Sequence, residues 1–309
     1  MGSMKNHWLP NLILFSFLLI NACQRSPLAT VVNTQEVTDI SNPTIAATAT
    51  FIPTETPVPL PAVAIVNGER ILQSDFDEEF QRYQDAATAV GNTVDLEIGK
   101  ATVLENLIDL DLLAQAARQD GFELTDEMVQ QRLEALIKDL GSEEKLETWL
   151  ATNHYSHEGF ERLYRIEIEA AHMREQIIAE VPTTAEQIHA RQIMVQSKQL
   201  ATNIYNQLQA GADFATLSWI YDPITGGELS WFPRNYLVIP EIEEAVFALQ
   251  PGEYTEIIAT DYGYQIVQVV EKEMARPLTE DALLAFQRSA LANWVQMAKS
   301  NAQIEILSQ

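Results

Sequence analysis

The feature that most constrains the fold is a series of short elements between residues 187 and 273, punctuated by glycine and proline. Polar and apolar residues alternate from Ile188 to Val195, which is the period of a half-buried strand. Two helical patterns follow, then a turn at Gly226 and Gly227, a strand, a third helix and two closing strands. Four strands with three or four helices on one side predict an α+β sandwich of roughly 90 residues.

Length and charge limit what the rest of the chain can be. At 309 residues it exceeds one typical domain, which predicts two folded units with extensions. The formal net charge of -25 argues against a nucleic-acid partner, because phosphate binding needs a basic surface. The same acidity is compatible with cationic or unfolded polypeptides as partners, and equally with a surface that is simply well solvated.

Residues 1–23 have the pattern of a secretory signal. The apolar run from Leu9 to Ile20 suits a signal-peptide core, since spanning a bilayer takes about 20 residues. The run is followed by Cys23, the single cysteine of the chain, so no intramolecular disulfide is possible. The hydrophobic-x-small-Cys ending resembles the bacterial lipobox, which implies that Cys23 is lipidated and becomes the mature N-terminus. The alternative is an ordinary signal peptide with an incidental cysteine.

Residues 24–61 are predicted to be a disordered tether rich in Thr and Pro. Four prolines lie close together at its end, and proline fixes φ and removes a backbone donor, so neither a helix nor a central strand can continue through them. An extended spacer of this kind would hold a folded body away from a membrane.

Residues 62–182 predict a module of about five helices after a short strand at Ala62–Val66. The stretch Leu96–Gln119 is apolar on more than one face, which indicates a helix buried on two sides. The apolar stripes of the module are predicted to be core, although some could form a groove for a client polypeptide. The residues predicted to cap its helices at their N-termini are Ser74, Thr125, Ser142 and Ser156. A capping-box pattern from Thr183 to Glu186 is predicted to open the next unit.

Five motifs in the C-terminal third carry a resemblance to a known family. They are Ala190-Arg191-Gln192-Ile193-Met194-Val195, Gly211-Ala212-Asp213-Phe214, Gly226-Gly227-Glu228-Leu229-Ser230-Trp231-Phe232, Phe247-Ala248-Leu249 before Gly252-Glu253, and Gly263-Tyr264-Gln265-Ile266. In this order they resemble the parvulin-type peptidyl-prolyl cis-trans isomerase domain, and the whole chain is similar to the SurA/PrsA class of extracytoplasmic folding factors.

The resemblance implies a fold and a division of the chain. A parvulin-like four-stranded antiparallel sheet with helices would occupy residues 183–275, inserted in an all-α chaperone module of the SurA/PrsA-like class. The module would take residues 62–182, and a helix and strand in 276–309 would pack back on it.

The resemblance also assigns site residues and exposes two departures. Gln192 and Gln265 stand where the family has two facing histidines, Asp222 at its Asp or Cys position and Tyr262 at a serine-like one. These four are the predicted catalytic positions. The predicted proline pocket consists of Leu229, Leu237 and Ile242, with Phe247 behind it.

Isomerisation asks little of such a site. The barrier to rotation about a peptide bond is about 18–20 kcal/mol and comes from amide resonance, so a pocket that holds the twisted bond needs no nucleophile, cofactor or metal. Gln both donates and accepts hydrogen bonds, so Gln192 and Gln265 could keep part of the family's network and a reduced activity. They could equally mark a domain kept for peptide binding, and Asp222, before Pro223, also has a plain loop explanation.

Three hypotheses follow for function. The first is a lipid-anchored isomerase of the bacterial cell envelope, outside the cytoplasm, acting on unfolded exported proteins with X–Pro bonds. The second is a catalytically quiet holdase chaperone of the same shape, and the third an assembly factor tethered to the envelope. No cofactor is expected, and no metal, since His154 and His157 lie at a helix start without a matching third ligand.

Overall fold

The computed structural model describes residues 59–307. The predicted signal sequence, Cys23 and nearly all of the predicted tether lie outside the described residues. No described helix combines the length and apolar character needed to cross a membrane. In chain order the elements are β1 (Ala62–Val66), β2 (Glu69–Leu72), α1 (Gln73–Ala89), α2 (Leu96–Gln119), α3 (Asp126–Leu140), α4 (Glu143–Thr152), α5 (His157–Ala179), β3 (Thr184–Val195), α6 (Lys198–Gln209), α7 (Phe214–Tyr221), β4 (Glu228–Pro233), α8 (Pro240–Phe247), β5 (Ile258–Thr260), β6 (Gly263–Pro277), α9 (Glu280–Asn301) and β7 (Ile304–Ile306).

The helices α1 to α5 begin largely where the sequence predicts. The side chains of Thr125, Ser142 and Ser156 each accept a hydrogen bond from a backbone N–H in the first turn of α3, α4 and α5. The prediction of Ser74 as a cap is wrong, because β2 runs directly into α1 and the helix begins at Gln73. The Gln73 N–H instead donates to the carbonyl of Pro61 at 3.0 Å, so the tertiary fold satisfies this end of the helix.

Helix α2 is the centre of the helical module and is buried on two sides, as its apolar density predicts. Val103 and Leu107 pack in one cluster with β1 and α1. Leu113 and Ala114 pack in another, which contains Ala170 of α5 and residues of α9. A helix between two cores has little freedom to shift, so α2 fixes the positions of its neighbours.

The C-terminal helix and strand return to this module. Strand β7 pairs antiparallel with β1, which completes a three-stranded sheet of order β2-β1-β7. The turn after β1 is tied to the same strand, because the Asn67 N–H donates to the Gln303 carbonyl at 2.8 Å and the Gln303 N–H to Asn67 Oδ1 at 2.8 Å. The exact domain boundaries stay a prediction.

A four-stranded antiparallel sheet of order β4-β3-β6-β5 forms the second unit, in agreement with the predicted α+β class. The capping box predicted at Thr183–Glu186 is wrong, because Thr184 already belongs to β3 and is paired with Pro277 of β6. The buried Gln187 amide donates to the carbonyls of Arg276 and Pro277 at 2.9 and 3.0 Å. Pairing along the full strand therefore overrides a local capping signal.

The helices of this unit cover both faces of the sheet, so the prediction that they lie on one side is wrong. Ile193 and Ile266 pack with α6 and α7. Their strand neighbours, among them Val267, pack on the opposite face with Ile242 and Val246 of α8. Because side chains alternate along a strand, β3 and β6 supply apolar residues to both cores.

The buried carboxyl of Asp111 gives the helical module a pH-dependent stability. Asp111 is 7% exposed and its Oδ2 accepts from Gln115 Nε2 at 2.8 Å. Burial raises the pKa of Asp111 from 3.8 to about 6. The folded state therefore binds more protons than the unfolded state between these values, so this residue's contribution to stability is present below about pH 4 and is lost as pH rises through 6.

We expect Asp111→Asn to remove that dependence. The Asn side chain keeps an acceptor for Gln115 and carries no charge to bury, so the variant should be more stable than the wild type by about 3 kcal/mol at pH 7.5 and similar to it at pH 3.5. Urea unfolding of both proteins at the two pH values measures this difference. An equal difference at both pH values would show that Asp111 does not titrate in this range.

Candidate functional site

Gln192 and Gln265 lie on the same face of the sheet, on neighbouring strands. Gln192 is opposite Val267 in the β3–β6 register, and Met194 is opposite Gln265, so the two glutamines are diagonal neighbours. Diagonal positions are about 7–8 Å apart, which long side chains can bridge. Val267 belongs to the cluster under α8, so both glutamines are on the α8 face.

Thr260 orients the amide of Gln265. The Thr260 hydroxyl donates to the Gly263 carbonyl at 3.0 Å and accepts from Gln265 Nε2 at 3.1 Å. A hydroxyl has one proton, so its bond to Gly263 leaves Thr260 only an acceptor for Gln265. The hydrogen-bond network thus assigns the amide nitrogen of Gln265 to the Thr260 side and its Oε1 to the other side. Gln265 is 2% exposed, and this orientation is therefore fixed.

Sequence reasoning missed both Thr260 and Met194. Thr260 is five residues before Gln265 and faces Gly263 across the β5–β6 turn, so a hairpin register drawn from the sequence could have found it. Met194 is the direct neighbour of Gln265 on β3 and is 45% exposed. An apolar residue left open beside two polar amides is placed to contact whatever occupies this face.

Asp222 organises its own loop. Its carboxylate accepts from the N–H groups of Ile224 and Thr225 at 3.1 Å each, from that of Gly227 at 3.2 Å, and from the Thr225 hydroxyl. The hydroxyl and backbone donors of Thr225, with the other N–H groups, lower the pKa of Asp222 to about 2. The carboxylate is therefore ionised at every physiological pH, and donors of its own loop occupy its oxygens.

Gly227 connects this loop to Gln192. Its carbonyl accepts from the Gln192 N–H at 2.7 Å while its own N–H donates to Asp222. Gly227 has φ +72°, and a Cβ there would lie 1.9 Å from the Gln192 carbonyl oxygen. Only glycine fits this approach. Asp222 thus reaches the glutamine pair through the main chain.

Tyr262 is in the turn between β5 and β6, and its side chain is 61% exposed. Its main chain is held from two directions: the N–H donates to Thr260 Oγ1 at 3.2 Å and the carbonyl accepts from Gln196 Nε2 at 2.8 Å. The turn is thereby fixed next to Gln265, with the ring of Tyr262 open to solvent.

The four predicted pocket residues lie in one apolar cluster on the α8 face. Ile242 and Phe247 are buried, at 4% and 3% exposed, whereas Leu229 and Leu237 are half-buried at its edge. The loop that carries Leu237 is held by Glu243, whose carboxylate accepts from the N–H groups of Tyr236 and Leu237 at 3.0 Å each. Because only Leu229 and Leu237 are partly exposed, these two leucines can contact a ligand, and the buried Ile242 and Phe247 belong to the core beneath them.

The structure thus brings the glutamine pair and the apolar cluster to one face, and joins Asp222 to them through Gly227. Within residues 59–307, no group of three or more His, Cys, Asp or Glu residues is placed to hold a metal ion. The chemistry available to this face is apolar contact and hydrogen bonding by neutral amides.

Comparison with known proteins assigns the class. The SurA-like N-terminal domain model matches residues 47–174, and the PPIC-type PPIASE (peptidyl-prolyl isomerase) domain model matches residues 167–273. The chain belongs to the parvulin-type foldases of the SurA/PrsA-like class.

Individual proteins named as foldases or chaperones are similar to parts of this chain. The foldase protein PrsA of Caldanaerobacter subterraneus is 29% identical over 226 residues, which cover 67% of this chain and 72% of the relative. A PrsA of Geobacillus is 38% identical over 98 residues, 30% of this chain and 35% of that protein. The chaperone SurA of Pseudomonas fluorescens is 31% identical over 144 residues, 39% of this chain and 33% of the relative.

The close approach at Gly227 predicts a large difference between two glycine substitutions. Gly227→Ala adds a Cβ that collides with the Gln192 backbone, whereas Gly211→Ala, at φ +93°, adds one that meets nothing within 4 Å. In both variants an alanine in the left-handed region lowers the free energy of unfolding by about 1 kcal/mol. We expect Gly227→Ala to lower it by at least about 2 kcal/mol more, because of the collision. Urea unfolding measures both. Equal losses would mean that the β3–β4 contact is loose.

Proposed function

We propose that this protein is a peptidyl-prolyl cis-trans isomerase of reduced activity that acts on X–Pro bonds of unfolded exported polypeptides. The observation that carries the proposal is the placement of Gln192 and Gln265 on the sheet face that also carries Leu229 and Leu237. A polar pair beside a half-open apolar edge is what a twisted prolyl amide requires.

The proposed mechanism needs no covalent step. Leu229 and Leu237 would hold the proline ring, which gains free energy by leaving water. The barrier of about 18–20 kcal/mol falls when the bound peptide is held in its twisted, less conjugated form. The prolyl amide has no N–H and only accepts hydrogen bonds, so the amide of Gln192 would donate to it. Gln265, whose Nε2 donates to Thr260, would present Oε1 to a backbone N–H elsewhere in the bound peptide.

The reduced activity follows from replacing histidine by glutamine at both positions. A neutral amide cannot become charged, so its hydrogen bonds to a developing charge are weaker than those of an imidazolium. Gln192 and Gln265 also have no proton to lose near neutral pH, so they contribute no titration to the rate. Asp222 serves as a positioning residue that holds the start of β4 against Gln192 through Gly227.

One observation favours a second candidate, the catalytically quiet holdase. The Asp222 carboxylate is occupied by donors of its own loop, which leaves it little capacity for a substrate. If both glutamines only maintain the sheet face, the domain would bind proline-containing segments without accelerating their isomerisation, and the helical module would supply chaperone activity.

We also propose where the protein acts. A signal peptide in residues 1–23, lipidation at Cys23 and the tether of 24–61 would place both folded units outside the cytoplasm, attached to a membrane. The proposed partition is a chaperone domain at 62–182, an isomerase domain at 183–275 and a returning segment at 276–309. A lipid chain would attach the protein to the membrane without a membrane-spanning helix, and the proline-rich spacer would let the folded units extend away from the membrane surface.

A protease-coupled assay with a proline peptide tests the catalytic proposal. We expect the full folded region to accelerate isomerisation, Leu237→Ala to lower kcat/KM about 10-fold by removing ring contact, and the double variant Gln192→His with Gln265→His to raise it about 10-fold. Leu284→Ala, an exposed leucine on α9, is the matched control and should change nothing.

The outcomes separate the two candidates. Absence of acceleration at high protein concentration, with suppression of aggregation of an unfolded client retained, rejects the isomerase and supports the holdase. An unchanged rate for Leu237→Ala would show that catalysis, if present, occurs away from the apolar edge.

The proposed anchor is tested on the full chain in a bacterial host. We expect the wild type to sediment with membranes and Cys23→Ser to be released from them, because the single cysteine is the only site for the lipid. Mass spectrometry of the N-terminal peptide should show an acylated Cys23. A wild-type protein that sediments with membranes but whose N-terminal peptide carries no acyl group would exclude the lipid as the anchor.

A further inference from the structure

The candidate site lies at one end of the four-stranded sheet. Strand β3 is antiparallel to β4 and β6, so the end of β3 lies beside the starts of both neighbours. Three connections meet there: 196–197 after β3, 222–227 before β4, and 261–262 before β6. Hydrogen bonds join them, because Gln196 Nε2 donates to the Tyr262 carbonyl and the Gln192 N–H to the Gly227 carbonyl.

Carboxylates outnumber cations at this end of the sheet. Asp222 and Asp261 belong to these connections, whereas Lys198, the first residue of α6, is the single lysine or arginine that borders them. Asp222 is permanently ionised, since its loop lowers its pKa to about 2. Glu228, at the start of β4, is opposite Arg191 in the β3–β4 register, so it lies on the other face of the sheet, where it forms a hydrogen bond with His189.

The other cations of the unit lie elsewhere. Arg191 is next to Gln192 in sequence, but strand alternation directs it to the opposite face. Arg234 and Lys272 both form ion pairs with Glu186, six residues from Gln192 along β3 and hence about 20 Å from it. The Arg234 guanidinium also lies over the ring of Phe247, at 4.2 Å from its centroid, so its charge is shared between Glu186 and the buried side of the apolar cluster. Arg276 pairs with Glu273 near the far end of β6. None of them offsets the carboxylates around the glutamine pair.

We infer that the site selects X–Pro bonds in which X is lysine or arginine and discriminates against glutamate and aspartate at X. The inference rests on the proposed isomerase function and adds its substrate class. A cationic residue before the proline enters a region where it is attracted, whereas an acidic one is repelled by Asp222 and Asp261. Both effects act between exposed charges, so salt should screen them.

The test measures kcat/KM in the protease-coupled assay for three peptides that differ only at X, with Lys, Gln or Glu before the proline. At about 10 mM salt, where the Debye length is about 30 Å, we expect the Lys peptide to exceed the Glu peptide about 5- to 10-fold with Gln between them. At about 1 M salt the ratio should fall to about 2 or less, because the Debye length shrinks to about 3 Å.

Three single-charge variants show whether the effect is local. Asp261→Asn should lower the Lys/Glu ratio about 2-fold and Lys198→Ala should raise it about 2-fold, since each changes one charge at this end of the sheet. Glu144→Gln, an exposed carboxylate in the first turn of α4, changes the net charge equally and should leave the ratio unchanged. Identical ratios in Asp261→Asn, Lys198→Ala and the wild type would overturn the inference.

The results distinguish this inference from the proposed function. Acceleration that is equal for Lys and Glu peptides at low salt refutes the substrate preference and leaves the isomerase intact. If no peptide is accelerated, the isomerase proposal fails, and titration calorimetry with the same peptides decides the preference. Tighter binding of the Lys peptide at low salt then supports it, and equal or weaker binding refutes it.

Discussion

The pairing of β3 with β6 is the interaction on which the isomerase unit depends. The ladder runs from Thr184 opposite Pro277 to Val195 opposite Tyr264, and it passes through two irregularities in register. Each strand supplies side chains to two cores, one under α6 and α7 and one under α8. A shift of one residue would send Ile193 and Ile266 to the wrong face and carry the glutamines with them, so both cores hold the register that defines the site.

The candidate site is built mainly from main-chain constraints. Gly227 approaches Gln192 more closely than any side chain permits, and Thr260 sets the amide of Gln265 through a hairpin turn. Asp222 holds Gly227 in this position without contacting Gln192 itself, because its carboxylate accepts a hydrogen bond from the Gly227 N–H. Because backbone contacts fix the positions of residues 192 and 265, their side chains can change with less disruption than the backbone around them. The sheet face would therefore keep its shape with either glutamine or histidine at these two positions.

Sequence patterns predicted the elements better than their arrangement. The caps at Thr125, Ser142 and Ser156 are local, depending on one side chain and the next turn, and all three were found. The Thr183–Glu186 box has the same local signature and fails, because the partner that decides its conformation is about 90 residues away on β6. Placement of α8 opposite α6 and α7 also depends on long-range alternation, which the single sequence does not reveal.

The site shows the same division. The family motifs predict Gln192 and Gln265 as site residues, and the register places both on the same face. Met194 and Thr260 required the register itself, since nothing in their residue types indicates a role. The saturated hydrogen bonding of Asp222 was equally hidden, because it depends on three N–H groups that converge only when the loop is closed.

The connection between the two units has a consequence for how the chain folds. The isomerase unit leaves and re-enters the helical module through one paired stem, where the Leu278 N–H donates to the Thr183 carbonyl at 2.9 Å beside the Thr184–Pro277 pair. The module is completed only when β7 pairs with β1, more than 200 residues later in the chain. Loop-closure entropy grows slowly with loop length and is smaller for a loop whose ends are already held together. A folded isomerase unit therefore holds the end of α5 close to the start of α9, which lowers the entropy cost of bringing α9 and β7 back to the helical module. In this way the stability of the isomerase unit favours the pairing of β7 with β1 through the stem alone.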